Sequence, residues 1–224
     1  MTSAKQIYLG SQSKPALPYD AEVEYLESTG TQWIDTPIAA ADNVGYELRV
    51  VNWFDAGRNS VSLVFAGVFG SSNRYGLGYT SKPNVVNTFA WWNSAISGLG
   101  NLSISNGYLK FNYLNSRTYN FNGVVTGGLS GTYNASNTTI RLLNAKRMDT
   151  GANAFEDSVP MKFSAFRISR DNAVTCDMIP VRFTNELGQS EGAMYDRVSC
   201  ELFRNSGTGA FGFGTDIAGG GING

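Results

Sequence analysis

The 224-residue chain contains no histidine. That excludes imidazole metal sites, Ser-His-Asp and Cys-His nucleophile systems, and imidazole acid–base chemistry, so any enzymatic reading must rest on carboxylates. It has two cysteines, Cys176 and Cys200. Two thiols do not make a disulfide framework, and both are expected as buried free thiols. Charged residues are only 16% of the chain and the formal net charge is −1. No basic stripe is present, which argues against nucleic acid as a partner. No apolar run approaches the ~18 residues of a membrane-spanning helix. The opening MTSAKQIYLGSQSKPALPYD has no apolar core of the secretory kind and does not read as a signal peptide, so either a signal was cut off or the protein leaves its cell another way. No segment holds a 3.6-residue apolar period over three turns.

What the sequence has instead is alternation. In GYELRVVNWF (45–54), Tyr46, Leu48, Val50 and Phe54 fall on one face; Glu47, Arg49, Val51 and Trp53 fall on the other. VSLVFAGVF (61–69) is apolar on both faces, the pattern of a strand covered on both sides. RYGLGYT (74–80) places Tyr75, Leu77 and Tyr79 opposite Gly76 and Gly78, and YLKFNYL (108–114) places Leu109, Phe111 and Tyr113 opposite Lys110 and Asn112. Further strands are expected at TYNFNG, TTIRLLNA, PMKFSAFRIS, AVTCDMIPVRF, GAMYDRV and CELFRN. Turn signals such as FGSSN, SNG, NASN and DTGAN separate them. So many short strands in one chain predict an all-β, two-sheet antiparallel jelly-roll sandwich. Residues 1–20, with two of the six prolines, read as an arm or linker; 21–217 read as the sandwich, and 218–224 as a glycine-rich tail.

Two stretches carry a resemblance. VEYLESTGTQWIDTPI (23–38) opens the domain, and CDMIPVRFTNELGQSEGAMYDRVSCELFRNSGTGAFGFGTD (176–216) closes it. Together they resemble the ends of laminin-G-like, concanavalin A-like jelly rolls of gut bacteria and their bacteriophages. The closing pattern falls on Asp177, Ile179, Pro180, Gly192, Tyr195, Asp196, Val198, Phe203, Asn205, Gly207, Thr208, Gly209, Phe211 and Gly214. VFAGVFGSSNRYGLGY, TTIRLLNA and KFSAFRISRDN agree in pattern, so the resemblance covers about residues 22–216. It implies two curved antiparallel sheets with the N- and C-terminal strands paired near one edge. It does not fix a function, because such domains bind glycans, cleave glycans or decorate particles. KQIYLGSQ is similar to short docking leaders of phage structural proteins.

Three constellations could carry chemistry. Adjacent Trp91 and Trp92 must point to opposite faces of a strand. Phe89 and Trp91 are expected in the core, which turns Trp92 outward beside Asn93. Trp53, Trp92, Asn93 and Tyr75 are therefore the candidate glycan-binding residues, since sugar rings stack on exposed aromatic faces. For Trp92 the competing expectation is burial under a loop or at an interface between copies. EVEYLE (22–27) loosely matches the carboxylate motif of jelly-roll glucanases. A regular strand would put Glu22 and Glu24 on one face and Glu27 on the other, which favours an acidic edge strand over a catalytic pair. In DTGANAFED (149–157), Asp149, Asn153, Glu156 and Asp157 offer the oxygen ligands that calcium takes, against the simpler reading of a solvated turn. No other cofactor is expected.

The leading expectation is thus a non-enzymatic bacteriophage virion protein: a capsid decoration, fibre or adsorption component. Its arm would dock on other virion proteins, it would assemble as a homo-oligomer, and its sandwich would face a host surface glycan. The alternatives are a carbohydrate-binding module or adhesin at a bacterial surface and, third, a β-glucanase-like hydrolase.

Overall fold

A computed structural model describes residues 17–53, 61–82, 85–93, 95–101, 107–112, 118–121, 124–126 and 132–217. Among them the chain is all β, without a helix, so none is long and apolar enough to cross a membrane. The strands are β1 (Ala21–Glu22), β2 (Leu26–Ser28), β3 (Ile34–Ala39), β4 (Val44–Trp53), β5 (Val61–Phe69) and β6 (Tyr75–Lys82). They continue with β7 (Val85–Trp92), β8 (Ala95–Asn101), β9 (Gly107–Asn112), β10 (Thr118–Phe121), β11 (Val124–Thr126) and β12 (Thr139–Leu142). The last are β13 (Ala145–Arg147), β14 (Met161–Arg170), β15 (Ala173–Thr184), β16 (Ser190–Asp196), β17 (Glu201–Phe203) and β18 (Gly212–Phe213).

They form two sheets. The larger runs β11-β10-β9-β4-β14-β15-β16-β17, with β1, β2 and β18 inserted; the smaller runs β3-β12-β5-β6-β7-β8, with β13 beside β5. Neighbours are antiparallel except β13 and β5, which run parallel. The arrangement is that of a β-sandwich.

The core between the sheets follows the alternation. Tyr46, Leu48 and Val50 of β4 are buried, as are Phe163, Phe166 and Ile168 of β14. They face Leu63, Phe65 and Val68 of β5 and Tyr75, Leu77 and Tyr79 of β6 in one apolar cluster. Tyrosine in a core needs partners for its hydroxyls. The Tyr46 hydroxyl donates to the Ala66 carbonyl at 2.9 Å and accepts from the Leu77 amide at 2.8 Å. The Tyr75 hydroxyl donates to the Val44 carbonyl at 2.6 Å. These bonds cross from one sheet to the other and fix their mutual position. Gly78 is required by the outer face: a Cβ there would meet the Phe89 ring at 2.6 Å.

The two chain ends zip together. Glu24 N donates to the Thr215 carbonyl at 3.0 Å, Gly214 N to the Tyr25 carbonyl at 3.0 Å, and Ile217 N to the Glu22 carbonyl at 2.8 Å. The resemblance places this pair near a sheet edge; here it lies inside the larger sheet. β2 sits between β14 and β18, and Phe211 bridges to Gly192 of β16. The insertion is possible because β15 pairs with β14 only as far as Met178 and takes β1 as its neighbour from Val181 onward. Pro180, which has no N–H to give, stands at that change of partner.

The closing residues work as locks. Asn205 accepts from Gly207 N at 2.8 Å and from Trp33 N at 3.2 Å, and its amide donates to the Gly209 carbonyl at 2.9 Å. Gly207 packs flat on Trp33, where a Cβ would fall 2.6 Å from the indole and inside contact distance of the Thr31 carbonyl. Asp196, 1% exposed, accepts from the amides of Asp177, Val198 and Ser199 and from the Ser199 hydroxyl. Burial pulls its pKa up, but these four bonds outweigh it and hold the carboxyl below its ordinary value.

Leu17 and Tyr19, assigned to the arm, already belong to the folded body. Tyr19 rests on Tyr195, ring centroids 4.9 Å apart, over a small apolar cluster with Val181, Phe183 and Ala193. Residues 1–16 of the arm and 218–224 of the tail lie outside the described residues. Both cysteines are free; Cys176 is buried as expected, but Cys200 is exposed, in a turn where its φ is +60°.

Candidate functional site

The aromatic platform expected around Trp92 does not form. Trp92 is 0% exposed and lies in the main core, 5.9 Å from Tyr75 and 5.2 Å from Tyr133 between ring centroids. Tyr75 is equally buried. Neither offers a face to a sugar, so the outward placement of Trp92 is corrected. Asn93, with φ +54°, is a loop staple: its amide donates to the Thr132 carbonyl at 2.7 Å and its oxygen accepts from Asn134 N at 2.9 Å. The Trp53 side chain lies outside the described residues.

Alternation still holds in β7. Phe89 and Trp91 share a face, opposite Trp92, but it is the outer face of the smaller sheet. A second apolar layer covers it. Phe155 stacks on Trp91 at 5.6 Å and an interplanar angle of 20°, and Phe69 lies 5.4 Å away. The covering segment is pinned by Asn144, which is fully buried and donates to the carbonyls of Phe155 (3.2 Å) and Asp157 (3.1 Å). Arg141, also buried, pairs with Asp35 at 2.8 Å and reaches Asn153 and the Gly151 carbonyl.

A cleft opens beside this layer. β5 and β13 run parallel, with Phe69 and Arg147 in register, so they end side by side. The turn after β5 (Gly70 to Asn73) and the turn after β13 (Met148, Asp149) enclose about 390 Å³. Phe69 and Met148 supply the apolar lining; Ser71, Ser72, Asn73, Arg147 and Asp149 supply the polar part. The Arg74 guanidinium lies 5.1 Å from the Phe69 ring centroid and steadies it by a cation–π contact. Arg147 Nε donates to Asp149 Oδ1 at 3.0 Å and Nη2 to Oδ2 at 2.8 Å. This fork holds the Asp149 pKa down to about 2.

The calcium expectation is corrected by the same contacts. Asp149 is turned to Arg147, Asn153 accepts from Arg141, Glu156 is exposed, and Asp157 presents its carbonyl to Asn144. The four do not converge, and among the described residues no group of three or more acidic or cysteine side chains could hold a metal. In EVEYLE, Glu22 accepts from the Tyr19 hydroxyl at 3.3 Å, Glu27 pairs with Lys162 at 3.5 Å, and Glu24 is exposed at the bend between β1 and β2.

Of the cleft residues, sequence reading singled out only Asp149, and for a metal. FGSSN was legible as a turn. Its meeting with Arg147 and Asp149 depends on the parallel pairing of β13 with β5, which no local pattern announces.

No family model, curated protein or solved structure matches the chain.

Proposed function

We propose that the protein is a non-enzymatic recognition module displayed on a bacteriophage virion, and that it binds glycan in the cleft between the β5 and β13 turns. The cleft is the observation that carries this reading. A sugar ring has an apolar C–H face and a hydroxyl edge. Phe69 and Met148 suit the face; Ser71, Ser72, Asn73, Arg147 and Asp149 suit the edge. The roles of the end motifs support display. Asn205, Gly207 and Asp196 are spent on closing the sandwich, which leaves the turns to carry recognition on a rigid body. The virion assignment draws on the resemblance of those motifs to phage and gut-bacterial jelly rolls, with the arm as the dock to other virion proteins and homo-oligomeric assembly as its context.

The test is a screen of the full chain against immobilised bacterial surface polysaccharides, with Ser72→Tyr as the blocking variant. Ser72 is exposed on its turn, so the tyrosine fills the cleft without disturbing the core. Binding by the wild type and its loss in the variant are expected. Equal binding by both removes the cleft from the reading, and binding to no glycan removes the recognition role. Peptide mass spectrometry of purified particles tests the virion part: many copies per particle are expected, and absence from particles with presence on cells favours the bacterial adhesin.

A further inference from the structure

We infer that the ligand of this cleft is an uncharged glycan, gripped through two adjacent hydroxyls by the Arg147–Asp149 pair. The inference rests on the glycan reading above and specifies its chemistry.

Arg147 and Asp149 form a two-pronged pair, with Nε to Oδ1 at 3.0 Å and Nη2 to Oδ2 at 2.8 Å. Their side chains are 41% and 61% exposed, so the pair faces solvent at the cleft mouth. A carboxylate oxygen has lone pairs beyond the one taken by its arginine, and a guanidinium has five N–H donors, of which this pair uses two. An acceptor and a donor therefore stand side by side in a fixed plane. Two neighbouring hydroxyls of a sugar offer the complement: one donates to Asp149 while the other accepts from Arg147.

Charge decides between sugar classes. Every other lining residue is uncharged, and the arginine and aspartate cancel. The nearby Arg74 is not a lining residue: its guanidinium is held over Phe69 and its Nε donates to the Gly70 carbonyl at 3.4 Å. Lys146 is engaged by Asp35 at 3.5 Å. A uronic or sialic carboxylate accepting from the free Arg147 donors would lie against the Asp149 carboxylate and be repelled by it. A neutral diol binds without breaking the pair. Specificity of this kind arises from what the site repels as well as from what it attracts.

The experiment is isothermal titration of the full chain with neutral oligosaccharides, with the same sugars lacking one of two adjacent hydroxyls, and with acidic oligosaccharides. Wild type is compared with Asp149→Asn and Arg147→Met, whose exposed positions leave the fold intact; unchanged melting curves verify this. Neutral sugars are expected to bind. Asp149→Asn should weaken them about tenfold or more, the range of a hydrogen bond to a charged group. It should add little to the loss already caused by the deoxy analogue, because both remove the same contact. Preference for acidic sugars, or unchanged affinity in Asp149→Asn, overturns the inference while the glycan reading stands. Failure of every sugar to bind overturns both.

Discussion

Replacing Trp92 by alanine separates a core residue from a binding platform. The side chain is fully buried among Tyr75, Tyr133 and the cluster between the sheets. A buried tryptophan removes roughly 200 Å² from water. At about 25 cal/mol per Å² that is ~5 kcal/mol, less what the remaining Cβ keeps. Measured losses for such truncations are about 3–5 kcal/mol. Set against a total stability of about 5–15 kcal/mol, this leaves a marginal protein. For a chain of this size it corresponds to a fall in melting temperature of roughly 6–20 °C. The assay is a thermal melt followed by far-ultraviolet circular dichroism, on wild type and Trp92→Ala in parallel. A Trp92→Ala protein that melts with the wild type would refute the core placement. Lost glycan binding in that stable variant would restore Trp92 as the platform.

Other substitutions test the locks and the thiols. Gly207→Ala should destabilise by about 1–3 kcal/mol in urea titration, because its methyl group has no room against Trp33 and the Thr31 carbonyl. Asp196→Asn should cost about 1–3 kcal/mol at neutral pH, since its new amide hydrogens would face the donors of Ser199. The folded pKa of Asp196 is depressed, so its contribution is full above the unfolded carboxylate value of about 3.9 and is lost as pH falls through the folded value. Melting temperatures of the variant should therefore fall less steeply than wild type below about pH 4; parallel curves would refute the role. Thiol titration should find one reactive cysteine in the native protein and two after denaturation. Cys200 is exposed, whereas burial pushes the Cys176 thiol far up. Two reactive thiols in the native state would contradict this.

Strand patterns were legible wherever alternation was strong. Tyr46, Leu48 and Val50 share one face, as do Tyr75, Leu77 and Tyr79, and both faces are buried, which places Tyr75 in the core and not at a glycan. The β7 faces were separated correctly but inverted. Trp92 is followed by Asn93, which suggested water, and the second apolar layer over Trp91 comes from residues far along the chain. That layer is local in neither period nor spacing, and it depends on Asn144 holding Phe155 in place. The acidic residues of 149–157 read as one group because they are close in sequence. In space Arg147 and Arg141 draw Asp149 and Asn153 apart. Residues of the opening and closing stretches hold one another, Gly207 against Trp33, and within the closing stretch Asp196 accepts from the amide of Asp177.

The most direct test of the cleft is hydrogen–deuterium exchange of the full chain with and without a bacterial surface polysaccharide. Slowed exchange confined to residues 69–73 and 147–149 is the expected result. Slowed exchange on the larger sheet instead, or no change under conditions where the polysaccharide is bound, would contradict recognition at this site.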